Sequence, residues 1–257
     1  MLSQLRSGAL GLLNLAGPNL SNFVMHASLS DVGFAWSGYD KVWPAMDGEL
    51  GAFIRGKIRQ SELHVLDAMW DTGFRQITTA DKPITSPADV ARLKLRVPPS
   101  PLWTSMWKAL GASPANINFS EVYPSLQTKV VDGQENPLSI IWFAKLYEVQ
   151  RFCSLTNHVW TGYYTLAHRR TWEGLPANLQ EIATKHLNAA ARAERDDLAA
   201  INDSLQGQLA AKNLVFNSVD SAPFREALSK GGFYQEWKGK YGEEGWSILE
   251  RYAGKLS

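Results

Sequence analysis

The sequence predicts an α/β protein with largely parallel sheets. Short runs of aliphatic and β-branched residues alternate with segments of helical periodicity along the whole chain. No internal repeat or low-complexity linker interrupts them. The 257 residues suffice for one large domain or two modest lobes with a sizeable core.

In chain order, Leu10 to Leu15 reads as a buried strand preceded by the end of a helix. Arg6 and the apolar residues after it imitate a signal peptide, but the run is short and no clean small-residue cleavage site follows. Turn formers come next, Gly17-Pro18-Asn19 with Ser21 and Asn22. A loop just past a buried strand is where open α/β folds place ligands. Apolar residues from Tyr39 to about Arg59 keep helical spacing, and Leu63–Met69 and Phe74–Thr79 read as strands. Ser86-Pro87 is a helix start, with Ser at the N-cap and Pro in the first turn. A short strand then ends at Arg96-Val97 before Pro98-Pro99. Helices are expected from Pro101 to Leu110, from Ser120 to about Gln127, and from Asn136-Pro137 onward. Phe152–Leu155 and Trp160–Ala167 are strand candidates. The longest helix starts at Leu175-Pro176 and runs to about Ala211, with Leu198, Ile201, Leu205 and Leu209 as its apolar stripe. A short strand at Leu214–Phe216 and two aromatic-rich helical segments end the chain.

Composition excludes several function classes. The formal net charge is +1 with no block of like charge, which leaves neither a nucleic-acid footprint nor a polybasic membrane patch. No apolar run is long enough to span a bilayer. The single cysteine, Cys153, rules out an intrachain disulfide, and its apolar neighbours place it in the core. Phosphate-binding glycine loops, a nucleophile elbow and paired metal-ligand spacings are all missing. No cofactor or metal is therefore expected. His158 and His168 read as structural histidines, and Glu121 and Glu135 offer carboxylates of no special pattern. A binder is favoured over an enzyme.

The candidate binding residues lie between Trp70 and Trp142. Arg96 ends an otherwise apolar strand, immediately before a double proline that fixes the backbone. Its planar fork of donors matches both oxygens of a carboxylate; a structural ion pair with Asp or Glu is an equally good account of the residue. Asn136 stands at a strand-to-helix junction, where capping is the better reading and a ligand contact the other. Arg75 follows Gly73-Phe74 on a separate strand, with a surface salt bridge as its alternative. The ten tryptophans read first as core.

Taken together, Phe74-Arg75-Gln76-Ile77-Thr78-Thr79, the Ile84 to Pro98 segment with Pro87, Asp89-Val90 and Leu93-Lys94-Leu95-Arg96-Val97-Pro98, and Glu121-Val122-Tyr123 through Val130-Val131-Asp132-Gly133-Gln134-Glu135-Asn136-Pro137 resemble the substrate-binding protein of tripartite ATP-independent periplasmic (TRAP) transporters, a DctP-like family. Leu155-Thr156-Asn157-His158 and Trp172 with Leu175-Pro176 extend the likeness over nearly the whole chain.

The resemblance implies a periplasmic-binding-protein-like fold of two α/β lobes joined by crossing strands and a long connecting helix. Residues 1–73 and 162–201 would form the first lobe, and 74–161 with 202–257 the second. It implies that Arg96 grips a substrate carboxylate bidentately, that Asn136 helps hold it and that Arg75 assists. Phe119 and Trp70 fall where the family lines its pocket. Asn22 and Trp160, with Trp36 and Trp103, are candidates by loop or strand-end position. On this resemblance, the first strand-helix unit of lobe 1, which precedes Leu10–Leu15 in the family, is expected to be absent from this sequence. The function implied is capture of a small organic acid in the periplasm by a monomer that hands it to the membrane subunits of a transporter. The alternatives are an enzyme on the same architecture, using Glu135 or Asp132, and a carboxylate sensor. The aromatic content favours an aromatic or apolar-tailed acid over a sugar acid.

Overall fold

Two long antiparallel strands carry the architecture. The computed structural model describes residues 1–257, the side chain of Asp203 apart. Its strands are β1 (Leu12–Ala16), β2 (Leu63–Val65), β3 (Trp70–Thr79), β4 (Lys94–Val97), β5 (Ser113–Asn116), β6 (Gly133–Pro137), β7 (Phe152–Leu155), β8 (Trp160–His168) and β9 (Val215–Ser218). They follow the order β1-β8-β3-β6-β4-β5, with β2 on β8 and β7 between β3 and β9. The first half of β3 pairs with β8, and its second half pairs with β6 and β7. One strand thus belongs to both sheets, and the crossing between lobes is built from it.

The crossing has a local cause. The pairing register shifts between Asp71 and Phe74. Within that bulge Gly73 sits at φ +93°, a conformation glycine adopts without penalty. The Asp71 carboxylate accepts the Gly73 N–H at 2.9 Å and holds the turn. Beyond it, Arg75 and its successors enter the second sheet.

Pairing is mixed where alternation alone predicts mainly parallel sheets. β4 runs parallel to β5 and β6, and β7 parallel to β9. β3 and β8 run antiparallel to every strand they touch. The reason is topological: β3 carries the chain out of the first sheet and β8 brings it back, so the two crossing strands run in opposite directions.

The helix Ala177–Ala210 spans both lobes, about 50 Å at 1.5 Å per residue. Its Asn188 and Glu194 accept the N–H groups of Ala68 and Asp71, and Arg195 donates to Met69 O while pairing with Asp47 at 2.7 Å. Toward its end, Leu205 and Leu209 are buried and Leu209 packs with Ile141, Leu146, Cys153 and Leu214. Ile201 of the expected stripe is exposed instead. Residues 202–257, expected with the second lobe, divide: β9 joins β7, while Trp237, Tyr241, Trp246 and Leu249 of the C-terminal helical segment pack with Leu29, Met46, Leu50 and Ile54. That segment breaks at Gly242, whose φ is +81°.

Other boundaries move by a few residues. The helical stretch from Tyr39 splits into Tyr39–Met46 and Glu49–Arg59. The turn formers after β1 make one helical turn, Gly17–Leu20. A Cβ on Gly17 would lie 2.4 Å from Ala27 O, so only glycine lets this turn tuck against residues 25–31. β1 pairs with β8 alone among the described residues.

Candidate functional site

Between the two sheets lies a cavity of about 130 Å³ where the Gly17–Leu20 turn, β3, the end of β4, the helix Pro101–Ala109 and β6 converge. Arg75, Arg96, Trp103, Asn118, Phe119 and Asn136 are among its walls.

Arg96 is buried, 2% exposed, and forms no ion pair among the described residues. Its Nε and Nη2 both donate to Ile117 O, at 2.9 and 2.7 Å. One carbonyl therefore fixes the guanidinium plane and leaves Nη1 and one Nη2 hydrogen without an acceptor among the described residues. Burial lowers the pKa to about 10, with Glu135 opposing and Arg75 adding to the shift. The group still carries its charge at neutral pH. Pro98 and Pro99, which also line the cavity, set the backbone beyond the strand. The ion-pair account of Arg96 is not what the structure shows.

Arg75 meets the opposite fate. Its guanidinium is buried against Glu135, with Nε on Oε2 and Nη2 on Oε1 at 2.9 Å, and donates also to Asn136 Oδ1 at 3.0 Å. The Trp103 ring lies beneath it, 4.7 Å from ring centre to Cζ. The salt bridge expected at the surface is thus internal. Glu135 is wholly buried; burial pushes its pKa up, but Arg75 and His158 outweigh that and hold it below its ordinary value. Burial keeps the His158 imidazole neutral at pH 7. Its Nε2–H then donates to Glu135 at 3.1 Å while Nδ1 accepts from Thr156 Oγ1 at 2.8 Å.

Asn136 caps no helix. It is the penultimate residue of β6, Pro137 occupies the N-cap of the helix Leu138–Phe143, and no side chain caps that end. Its Oδ1 accepts from Arg75 and its Nδ2 donates to Gln134 Oε1 at 2.5 Å. The amide faces inward because β6 pairs with β3 in the register Gln76↔Asn136. A strand residue before proline reads as a cap in one dimension; the cross-strand arginine that claims its oxygen is visible only in three.

Arg75, Arg96, Asn136 and Phe119 therefore share one cavity, with Phe119 half exposed at the rim. Trp70, Trp160 and Asn22 lie outside its wall. Trp70 Nε1 donates to Thr165 Oγ1 at 2.8 Å, and Trp160 is fully buried with Nε1 on Asp71 Oδ1 at 2.8 Å. Asn22 Nδ2 donates to Pro99 O at 3.1 Å and borders a separate, open groove. Trp36 is core, bonded to Ser30 O, whereas Trp103 joins the wall. Thr72, Thr161 and Tyr163 were not foreseen as wall residues. Their only signal was position, at the two crossing strands where the sheets meet.

The family model of bacterial extracellular solute-binding protein family 7, DctP, matches residues 1–238. The chain belongs to this family. A solute-binding protein of Roseobacter denitrificans is 36% identical over 84% of this chain and 66% of its own length, so the chain spans just under two thirds of that relative. Among solved structures, a TRAP periplasmic solute-binding protein of Sulfurospirillum deleyianum with bound succinate superposes with a TM-score of 0.90, at 28% identity over 98% of this chain and 82% of that one. One of Roseobacter denitrificans with bound β-D-glucuronate gives 0.92, at 27% identity over 99% and 83%. The family-7 fold is the two-lobe α/β fold described above. Among the described residues no helix is long and apolar enough to cross a membrane.

Proposed function

We propose that this family-7 chain is a non-enzymatic, monomeric solute-binding protein of the periplasm that takes up a small carboxylate between its lobes and delivers it to the membrane subunits of a TRAP-type transporter. One observation carries the reading: a buried, charged arginine whose fork is oriented by a carbonyl but satisfied by no carboxylate among the described residues. An unpaired buried charge is costly, and a ligand carboxylate meeting Nη1 and Nη2 in a two-point contact relieves that cost. Asn136 and Arg75 hold the floor beneath it. The names of the structural neighbours, periplasmic proteins with bound succinate or glucuronate, support the same assignment.

Glu135, the best acid-base candidate of the enzyme alternative, is fully buried and engaged by Arg75 and His158. It is not among the residues that line the cavity. The mechanism proposed is closure: the ligand bridges the lobes and stabilises the closed population.

The test is a thermal-shift screen against a carboxylate panel with wild type and Arg96→Ala. Wild type is stabilised by its ligand, and the variant loses that stabilisation, corresponding to about 2–5 kcal/mol of binding. Near-normal ligand stabilisation of Arg96→Ala would overturn the assignment.

A further inference from the structure

Behind the cavity wall sits an acid that the binding contacts leave out. Asp31 ends the short 3-10 segment Met25–Asp31 and has no exposed surface. Its backbone carbonyl accepts the Trp103 indole N–H at 3.1 Å, and Trp103 lies in the wall beneath Arg75. The carboxyl is pressed against the wall from the far side. A Cβ on Gly17 would stand 2.6 Å from Oδ2, and Gly17 lies between the wall residues Ala16 and Pro18. Thr161, another wall residue, faces the carboxyl from β8.

These surroundings favour the neutral carboxyl. Ser30 Oγ is 3.5 Å from Oδ2, the outer limit of a hydrogen bond, and Oδ1 and Thr161 Oγ1 are buried without a partner among the described residues. The cation that faces Asp31, Arg75 of β3, is already paired with Glu135. Tyr164 of β8 and Tyr241 of the C-terminal helical segment face it too; burial pushes both phenols up, so they stay neutral through pH 9. The Gly17–Leu20 turn has no titratable side chain. An unpartnered carboxylate oxygen in a buried site is costly, and burial accordingly pushes the Asp31 pKa up to about 8. Because no part of Asp31 reaches the surface, the groups packed on it set its charge.

On the carboxylate reading above, we propose that Asp31 makes capture proton-linked: a carboxylate entering at Arg96 draws a proton onto Asp31, and affinity falls once Asp31 is ionised. The cause is like-charge repulsion across the thickness of one wall residue. Linkage makes the effect reciprocal, since an anion that strengthens proton binding at Asp31 is itself held less well when that proton is gone. The sign follows. Affinity is full well below pH 8, where Asp31 is neutral with and without ligand, and falls as pH rises through about 8. If binding lifts the Asp31 midpoint by about one pH unit, the loss approaches about tenfold, of which about fivefold is reached by pH 9.

Isothermal titration calorimetry of the purified chain with acetate, lactate, succinate and glucuronate, from pH 7 to 9 and in buffers of different ionisation enthalpy, tests this. An acid of the four that binds should do so about fivefold more weakly at pH 9 than at pH 7 and take up about 0.4 proton at pH 8. Both effects should be lost in Asp31→Asn. Constant affinity over that range in wild type, with binding still lost in Arg96→Ala, overturns the proton linkage and leaves the carboxylate site standing. A pH dependence that persists in Asp31→Asn overturns the assignment to Asp31 and passes it to Arg96, whose pKa is about 10. Binding by none of the four, or binding that survives Arg96→Ala, overturns the carboxylate reading and this inference with it. Should Asp31→Asn not fold, ¹³C NMR of wild-type protein labelled at the aspartate carboxyls takes its place. The carboxyl that titrates near pH 8 without ligand should titrate about one unit higher with it; an unmoved midpoint overturns the proposal.

Discussion

Arg96 and Arg75 show how two like residues in one cavity do different work. Arg75 is locked to Glu135, so its removal leaves a carboxylate buried with only a neutral imidazole for company. Arg75→Ala should therefore destabilise the unliganded fold by about 3–5 kcal/mol in urea unfolding. Arg96 is bonded only to Ile117 O. Arg96→Lys keeps the charge but loses the planar fork, and should weaken carboxylate binding by about tenfold or more in calorimetry while leaving the melting temperature of the free protein nearly unchanged. A buried acid gives a pH signature. Asp31 has its pKa raised from 3.8 to about 8 by burial, and its Oδ1 lacks a partner. The folded state then binds the proton more tightly than the unfolded chain. Its contribution is full below pH 3.8 and is lost as pH rises toward about 8. Asp31→Asn should flatten the fall of stability between pH 5 and 8 by up to about 1.4 kcal/mol per pH unit, read from urea midpoints along that series.

At the scale of elements, the decisive one is β3. Its bulge at Asp71–Phe74 turns a single strand from one sheet into the next, and Gly73 permits the turn. A Cβ at Gly73 would find its nearest neighbours at 3.5 Å, so space is not the obstacle; the positive φ is. Gly73→Ala should cost about 1–2 kcal/mol from backbone strain alone, and should also weaken ligand binding because Arg75 starts from that turn. Loss of stability without loss of affinity would separate the strand's fold role from its site role. The Ala177–Ala210 helix runs beside β3 and fastens it through Asn188, Glu194 and Arg195. The guanidinium of Arg195 also lies 3.7 Å from the Trp43 ring centre, which ties the helix to the first-lobe helices.

At the scale of the whole molecule, two sheets meet over one small cavity, and crossing strands, not a flexible linker, connect them. In the closure mechanism proposed above, β3 and β8 and the helix beside them would bend without unfolding any element. Small-angle scattering should show a smaller radius of gyration with a saturating carboxylate than without. An identical radius in both states, with binding intact, would sink the closure mechanism. At a ligand concentration of about 100 Kd the same linkage should add about 2.7 kcal/mol to stability.

Much of this was legible in one dimension because the signals are local. Strand β4 ending at Arg96 before two prolines, the Ser86-Pro87 helix start, the long helix after Leu175-Pro176 and the ordered motifs that resemble family 7 all depend on residues near each other in the chain. The alternation of strands and helices is likewise a local property, and so the α/β class followed from it. Pairing direction did not, since nothing within β3 records that it returns directly beside β8. Nor did the fates of the arginines. Arg75 meets a carboxylate sixty residues away and Arg96 meets a carbonyl twenty-one residues away, and the choice between ion pair and free donor rests on which strands become neighbours. The tryptophans divide on the same ground: Trp103 reaches the cavity and Trp70 and Trp160 do not, because indoles of equal hydrophobicity are sorted by sheet geometry. The sequence by itself determined the elements, the family and the residue types able to hold an acid. Only the tertiary structure decided which positive charge is left uncompensated, because compensation depends on distance in space.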